Sequence, residues 1–128
     1  MADIPETVEA LLTSEPLMIH LATCQDGRPH VAPVWYRYED GYVEIVTTGR
    51  KLANIRANPK VALSVQSDED GDTEWMVSLL GTATIITDET ENRRATRQIN
   101  EKYGAPPDAY DDNTLVRIDI GSASYRTY

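Results

Sequence analysis

A mainly β (α+β) domain is predicted, with six antiparallel strands forming a small barrel and short helices flanking it. Three observations carry this. Runs of β-branched and apolar residues recur along the chain, bounded by turn residues. Two Asp-Gly pairs, Asp26-Gly27 and Asp40-Gly41, fall between such runs as hairpin signals. Helical patterning is confined to short stretches. At 128 residues the chain makes one domain, 1–128, with a single core.

The first element is a short amphipathic helix over Pro5–Thr13, with Asp3 as its expected cap and Ile4, Val8, Leu11 and Leu12 on one face. Leu17–Thr23 is apolar on both faces, as the wall of a small barrel requires. The Asp26-Gly27 turn leads to a return strand, Pro29–Tyr38. Its Pro33 cannot donate to a ladder and so marks an edge, bulge or break. Tyr42–Thr48 runs back after Asp40-Gly41. A helix over Arg50–Ala57 follows and Asn58-Pro59 closes it.

Lys60–Gln66 alternates as the next strand, and Ser67–Asp72 is an acidic loop at a hairpin tip. Thr73–Thr87 is a long strand in which Gly81 signals a bulge or the close approach of a backbone or ligand. Asp88 and Glu91 form a capping-box variant opening the last helix. Ala95, Ile99 and Tyr103 make its apolar face; Arg93, Arg94 and Arg97 are expected in solvent. Gly104 stops it. Leu115–Ile120 closes the barrel, and Ser122–Tyr128 is a polar tail that Tyr125 and Tyr128 would anchor.

Charge separates the chain into two parts. The formal net charge is -9, which argues against a nucleic-acid surface. Between Arg28 and Lys60, however, six Lys or Arg face three Asp or Glu, against six and eighteen elsewhere. An anionic ligand would bind in that first region. Cys24 is the only cysteine, which excludes an intrachain disulfide and a cysteine-based zinc site. With no signal-peptide pattern and no apolar run long enough to span a membrane, the expectation is a soluble, cytoplasmic protein.

The same region holds the candidate site. A helix start offers unpaired N–H groups and the positive end of the helix dipole. Here Thr47, Thr48, Arg50 and Lys51 gather at that point, and Asn54, three residues past Lys51, is placed on the same face. The pattern describes a phosphate cradle; it also describes a capped surface helix with two solvated cations.

Three segments in order carry a resemblance: ATCQDGRPHVAPVWY, DGYVEIVTT, and K-x-x-N-I-x-x-N-P-K-V-A-L-S-V. Together they resemble the FMN-binding split-barrel family related to pyridoxamine 5'-phosphate oxidase, nearest to the branch that uses FMN or the deazaflavin coenzyme F420. The resemblance implies a split β-barrel and a homodimer with the cofactor between subunits, near the strand that carries Gly81. It implies that Pro33, Val34 and Trp35 contact the flavin ring, largely through backbone atoms, while the cradle holds the phosphate. Trp35 reads equally as a core or interface aromatic. The chain departs from true pyridoxamine-phosphate oxidases at Ser124–Tyr128, which lacks the Arg and His of their substrate-binding segment.

No catalytic constellation is present. His20 and His30 have no metal-ligand spacing, and no glycine-elbow serine, paired carboxylate frame or GxGxxG fingerprint occurs. That suits a protein whose cofactor performs the chemistry. The expected function is therefore an FMN- or F420-dependent oxidoreductase moving hydride to or from a small redox-active substrate, with no catalytic side chain and no metal. The alternative is a non-catalytic carrier of flavin, F420 or haem, a haem requiring His20, His30, Cys24, or a Tyr or Met as axial ligand.

Overall fold

Three Asp-Gly pairs turn this chain back on itself. In the computed structural model, which describes residues 3–128, Asp26, Asp40 and Asp70 have φ of 52°, 42° and 50°, and the glycines after them 75°, 87° and 86°. Two successive left-handed residues are what a type I′ hairpin turn requires, and Asp-Gly adopts them readily. These turns join β1 (Ile19–Gln25) to β2 (Arg28–Val34), β3 (Arg37–Glu39) to β4 (Tyr42–Thr47), and β5 (Lys60–Glu69) to β6 (Asp72–Ile86). The last is tighter than the loop expected over Ser67–Asp72, because both strands run to the turn and pair at Glu69 and Asp72.

With β7 (Thr114–Thr127) the sheet has seven antiparallel strands in the order β2-β1-β5-β6-β7-β4-β3, one more than expected. The extra strand arises because the expected Pro29–Tyr38 strand breaks at Trp35-Tyr36. Its two pieces, β2 and β3, are the opposite edges of the sheet. Laid flat, seven strands would hold those edges about 29 Å apart, yet the connection through two residues reaches only about 11 Å. The sheet must curl until its edges meet at Trp35-Tyr36. Since β2 and β3 do not pair with each other, the barrel stays split. Pro33 lies on the edge strand β2, opposite His20, where a residue without an N–H is tolerated.

β7 outruns its expected end. Ser122, Ala123 and Ser124 show no strand-like alternation, but they continue the ladder with β6 as far as Trp75 opposite Thr127. That ladder holds the tail, while Tyr125 and Tyr128 stay exposed. The β6–β7 register shifts at Leu80/Gly81, and a Cβ on Gly81 would stand 2.7 Å from the Asp119 carbonyl oxygen. Gly81 is thus both a bulge and a close approach.

Helix α1 (Glu6–Leu12) starts at Pro5 with no side-chain cap, so Asp3 does not cap it; its Val8 and Leu12 are fully buried in the barrel core. Helix α2 (Gly49–Ala57) follows β4, and α3 (Glu89–Lys102) follows β6. Asp88 caps α3 by accepting the Glu91 N–H at 2.9 Å.

Arg94 does not stay in solvent as expected; Arg93 and Arg97 do. Glu44, in the middle of β4, is fully buried. It accepts from Arg94 at 2.9 Å, Arg117 at 2.8 Å and Arg37 at 2.9 Å. Burial alone would push the Glu44 carboxyl up, but the hydrogen bonds from Arg94, Arg117 and Arg37 outweigh it and hold the group below the usual carboxylate range. The cluster ties α3 to β4 and β7.

Candidate functional site

The site forms where the split in the barrel meets the start of α2. At the split, the backbone of Tyr36 is held from α3. Its N–H donates to Tyr103 Oη at 3.2 Å, and its carbonyl accepts from Lys102 Nζ at 2.8 Å. Backbone contacts to a flavin ring were expected from Pro33, Val34 and Trp35; the backbone groups of the next residue, Tyr36, are already paired. The Trp35 ring lies parallel to Tyr103, with centroids 4.6 Å apart and planes 3° apart, and meets Tyr110 edge-on at 5.5 Å. Tyr110 has φ of 59°, a left-handed backbone that a bulky residue adopts at a cost of about 1–3 kcal/mol.

Across from this aromatic wall, β4 ends at Thr47, Thr48 is extended, and α2 begins at Gly49 with φ of 69°. Thr48 is the N-cap residue but makes no side-chain cap bond, so no threonine hydroxyl occupies the first-turn N–H groups. Between wall and helix start lies a cleft of about 250 Å³. Pro33, Val34, Trp35, Thr47, Thr48 and Lys51 line it, joined by Met18, Val46, Ile99, Tyr110 and Asn113. Its lining is mostly apolar and aromatic, with the hydroxyls of Thr47, Thr48 and Tyr110 and the Asn113 amide, and among the described residues Lys51 is its only charged one.

Arg50 and Asn54 face elsewhere. They line a second cleft of about 660 Å³ on the other side of α2, with Gln25, Asp26, Arg28, Pro29 and His30. A helix turns about 100° per residue, so adjacent residues such as Arg50 and Lys51 point in different directions. Asn54 keeps company with Arg50, four residues before it, rather than with Lys51. It is buried, and its Nδ2 donates to Thr23 Oγ1 at 2.9 Å, fastening α2 to β1. The eight sequence-predicted residues are therefore divided six and two between neighbouring clefts.

Tyr103, Tyr110, Met18, Ile99 and Asn113 were not singled out for the site. Tyr103 and Ile99 had been placed on the apolar face of α3, a signal for burial rather than for a ligand. Tyr110 and Asn113 sit in a Pro- and Asp-rich loop with no periodicity to read. Among the described residues no group of His, Cys, Asp and Glu could hold a metal ion, and no helix is long and apolar enough to cross a membrane.

Solved structures share this architecture. An F420 reductase matches with a TM-score of 0.75 and 27% identity, over 90% of this chain and 94% of that one. An FAD-binding protein of Mesorhizobium loti matches at 0.77 and 24% identity, over 99% and 96%. A haem storage protein of Vibrio cholerae matches at 0.74 and 22% identity, over 99% and 95%. The fold alone thus serves several ligands. No curated protein is a significant sequence match. The family model described as pyridoxamine 5'-phosphate oxidase matches residues 4–126, nearly the whole chain, and this protein is a member of that family.

Proposed function

We propose that this protein is a flavin- or deazaflavin-dependent oxidoreductase, taking FMN or coenzyme F420 and moving hydride to or from a small redox-active substrate. The observation that carries the reading is the first cleft, where an aromatic and apolar wall faces an uncapped helix start bearing Lys51. A flat heteroaromatic ring suits the wall and an anionic tail suits the helix start. Pro33, Val34 and Trp35 would hold the ring, and Thr47, Thr48 and Lys51 the phosphate. Arg50 would add charge from the flank, and Asn54 would act by fixing α2. The bound cofactor would supply the hydride chemistry. The chain's own residues bind, orient and exclude water, and no side chain at the cleft is assigned as acid or base.

The site also favours a homodimer. At about 250 Å³ the cleft is smaller than the ~300–1,000 Å³ that encloses a drug-sized ligand. Its rim carries Met18, 41% exposed, and Tyr110, 55% exposed. A second copy closing over that rim would bury both side chains and complete the pocket. The composition suits a cytoplasmic protein.

A haem carrier is the second reading, motivated by the haem storage protein above. Of the side chains able to ligate haem iron, the first cleft offers Met18 and Tyr110 but no His or Cys. His30 lies in the second cleft, whose lining is mostly polar. The donor set therefore fits a flavin better. Titration of the dialysed protein with FMN, F420 and haemin, followed by fluorescence and absorbance, tests the choice. Saturable FMN or F420 binding is expected. A Soret band with no flavin binding would reverse the assignment, and binding of none would end it.

A further inference from the structure

Apart from the two clefts, a recess of about 310 Å³ opens between the α1–β1 connection, β3 and the end of α3. The charged residues lining it are Glu15, Arg37 and Lys102. The hydroxyls around them are engaged: Thr13 and Ser14 donate back to the Glu9 and Leu11 carbonyls, and Tyr38 donates to the Glu9 carboxylate. Lys102 enters no ion pair among the described residues. An ammonium can donate three hydrogen bonds, yet among the described residues Lys102 Nζ makes one, to the Tyr36 carbonyl at 2.8 Å. Arg37 gives Nε and Nη2 to Glu44 and Glu39, which leaves its Nη1 without a hydrogen bond among the described residues. Burial, and then the charge of Arg37, bring the Lys102 amine down to about 8. A lysine that is partly desolvated and stands near another cation is arranged to act as a nucleophile.

We propose that Lys102 is a covalent carbon dioxide site, carrying a carbamate in this recess. The Nζ lone pair of the neutral amine attacks the carbon of carbon dioxide and an N–C bond forms. One C=O π pair moves onto oxygen, and a proton leaves Nζ for water. An amine and carbon dioxide thus become a carbamate anion and a proton, with no change of oxidation state. Burial penalises ammonium and carbamate alike, so the neighbouring charge decides between them. Arg37 repels the first and attracts the second. The carbamate N–H can still donate to the Tyr36 carbonyl, so the pairing at the break between β2 and β3 is kept. Glu15, the one carboxylate lining the recess, opposes the new anion. The site stands on these residues and needs no cofactor.

Isotopically labelled bicarbonate, added to the whole protein at a pH near the Lys102 value of about 8, is the probe. Carbon NMR reads the carbamate resonance, and O-ethylation with a trialkyloxonium salt fixes it for mass spectrometry. The chain has three lysines, Lys51, Lys60 and Lys102, so the first two are internal controls. Trapping should concentrate at Lys102, apart from any carbamate on the terminal α-amino group. Lys102→Arg keeps the positive charge without the nucleophile and should lose that resonance. Glu15→Gln, on the exposed connection, removes a like charge and should raise occupancy by up to about fivefold. Trapping at the α-amino group alone, equal trapping at all three lysines, or a resonance that survives Lys102→Arg would overturn the site. A Glu15→Gln variant that traps less would overturn it as well.

Discussion

Two sets of three cations meet opposite fates in this acidic chain. Arg37, Arg94 and Arg117 close on Glu44, whose side chain is completely buried. Arg28, Arg50 and Lys51 flank the start of α2 and face open clefts with no internal anion of comparable burial. Residue type and number are nearly the same. What separates them is the compensating charge: the first set closes on Glu44 inside the chain, whereas no ion pair among the described residues includes a member of the second. A buried carboxylate forces its partners to be permanent, because leaving it unpaired costs several kcal/mol. Cations at an open cleft remain hydrated until a ligand replaces the water.

The sharpest way to break that comparison is to remove the internal anion. Glu44→Gln leaves three guanidinium groups around a neutral amide and should cost about 3–5 kcal/mol in urea unfolding. Arg28→Gln and Lys51→Ala should stay within about 0.5 kcal/mol of wild type. A mild Glu44 variant would mean that the two sets do not differ. The same carboxyl sets an acid limb. Its folded pKa lies below the ordinary value, so its contribution is present above the carboxylate range and lost as pH falls through it, when the folded state must take up a proton. Glu44→Gln should flatten that limb.

Binding reverses the ranking. Lys51→Ala should weaken FMN or F420 by roughly 1.5–3 kcal/mol, ten- to a hundredfold or more. Arg94→Ala, away from both clefts, should leave the affinity of the folded fraction within about twofold while lowering the unfolding midpoint. Equal losses of affinity in both variants would show that Lys51 acts through the fold rather than on the ligand.

Local chemistry explains which parts of this were legible. The hairpins could be read because Asp-Gly supplies its own turn geometry, and the Asp88 cap because its partner is three residues away. That Thr47, Thr48 and Lys51 would share one cleft could be read because β4, Thr47-Thr48 and α2 are contiguous. That Arg50 and Lys51 line different clefts follows from a single residue of helix phase, which no composition argument resolves. Arg94 was assigned to solvent because its partner Glu44 lies fifty residues away in sequence, and only the folded sheet brings them together. Pro33 signalled an edge, bulge or break in the expected Pro29–Tyr38 strand, but the pairing at Tyr36 went unread for the same reason. Tyr36 has paired backbone groups there because Lys102 and Tyr103 arrive from α3.

Trp35 tests the ring wall itself. Stacked on Tyr103, it should contribute about 0.5–1.5 kcal/mol beyond the area it buries. Tyr103→Leu should remove that packing while leaving the Trp35 side chain in place. If the indole also touches the cofactor, Trp35→Ala should change the absorption spectrum of bound flavin. A variant that loses stability with an unaltered spectrum would assign Trp35 to the core alone.

Lys102 lies between the two sets, a cation whose near partners are neutral. Its Nζ donates to the Tyr36 carbonyl and stands 3.7 Å from the Tyr36 ring centroid. Burial, helped by the charge of Arg37, brings the amine down from 10.5 to about 8. Between those values the unfolded chain holds the proton more tightly, so stability should rise with pH across the window. The expected gain is about 1 kcal/mol, since the amine is partly screened by solvent. Above about 10 the sign changes. Burial of the Tyr36 and Tyr38 phenols raises both, Tyr38 to about 12, so the unfolded chain loses those protons first and stability falls. Lys102→Met should abolish the rise and keep the fall, as read by urea unfolding from pH 7 to 11. A rise that survives the substitution would mean that the carbonyl and the ring stabilise this cation well enough to cancel its burial, placing Lys102 with the internally compensated set.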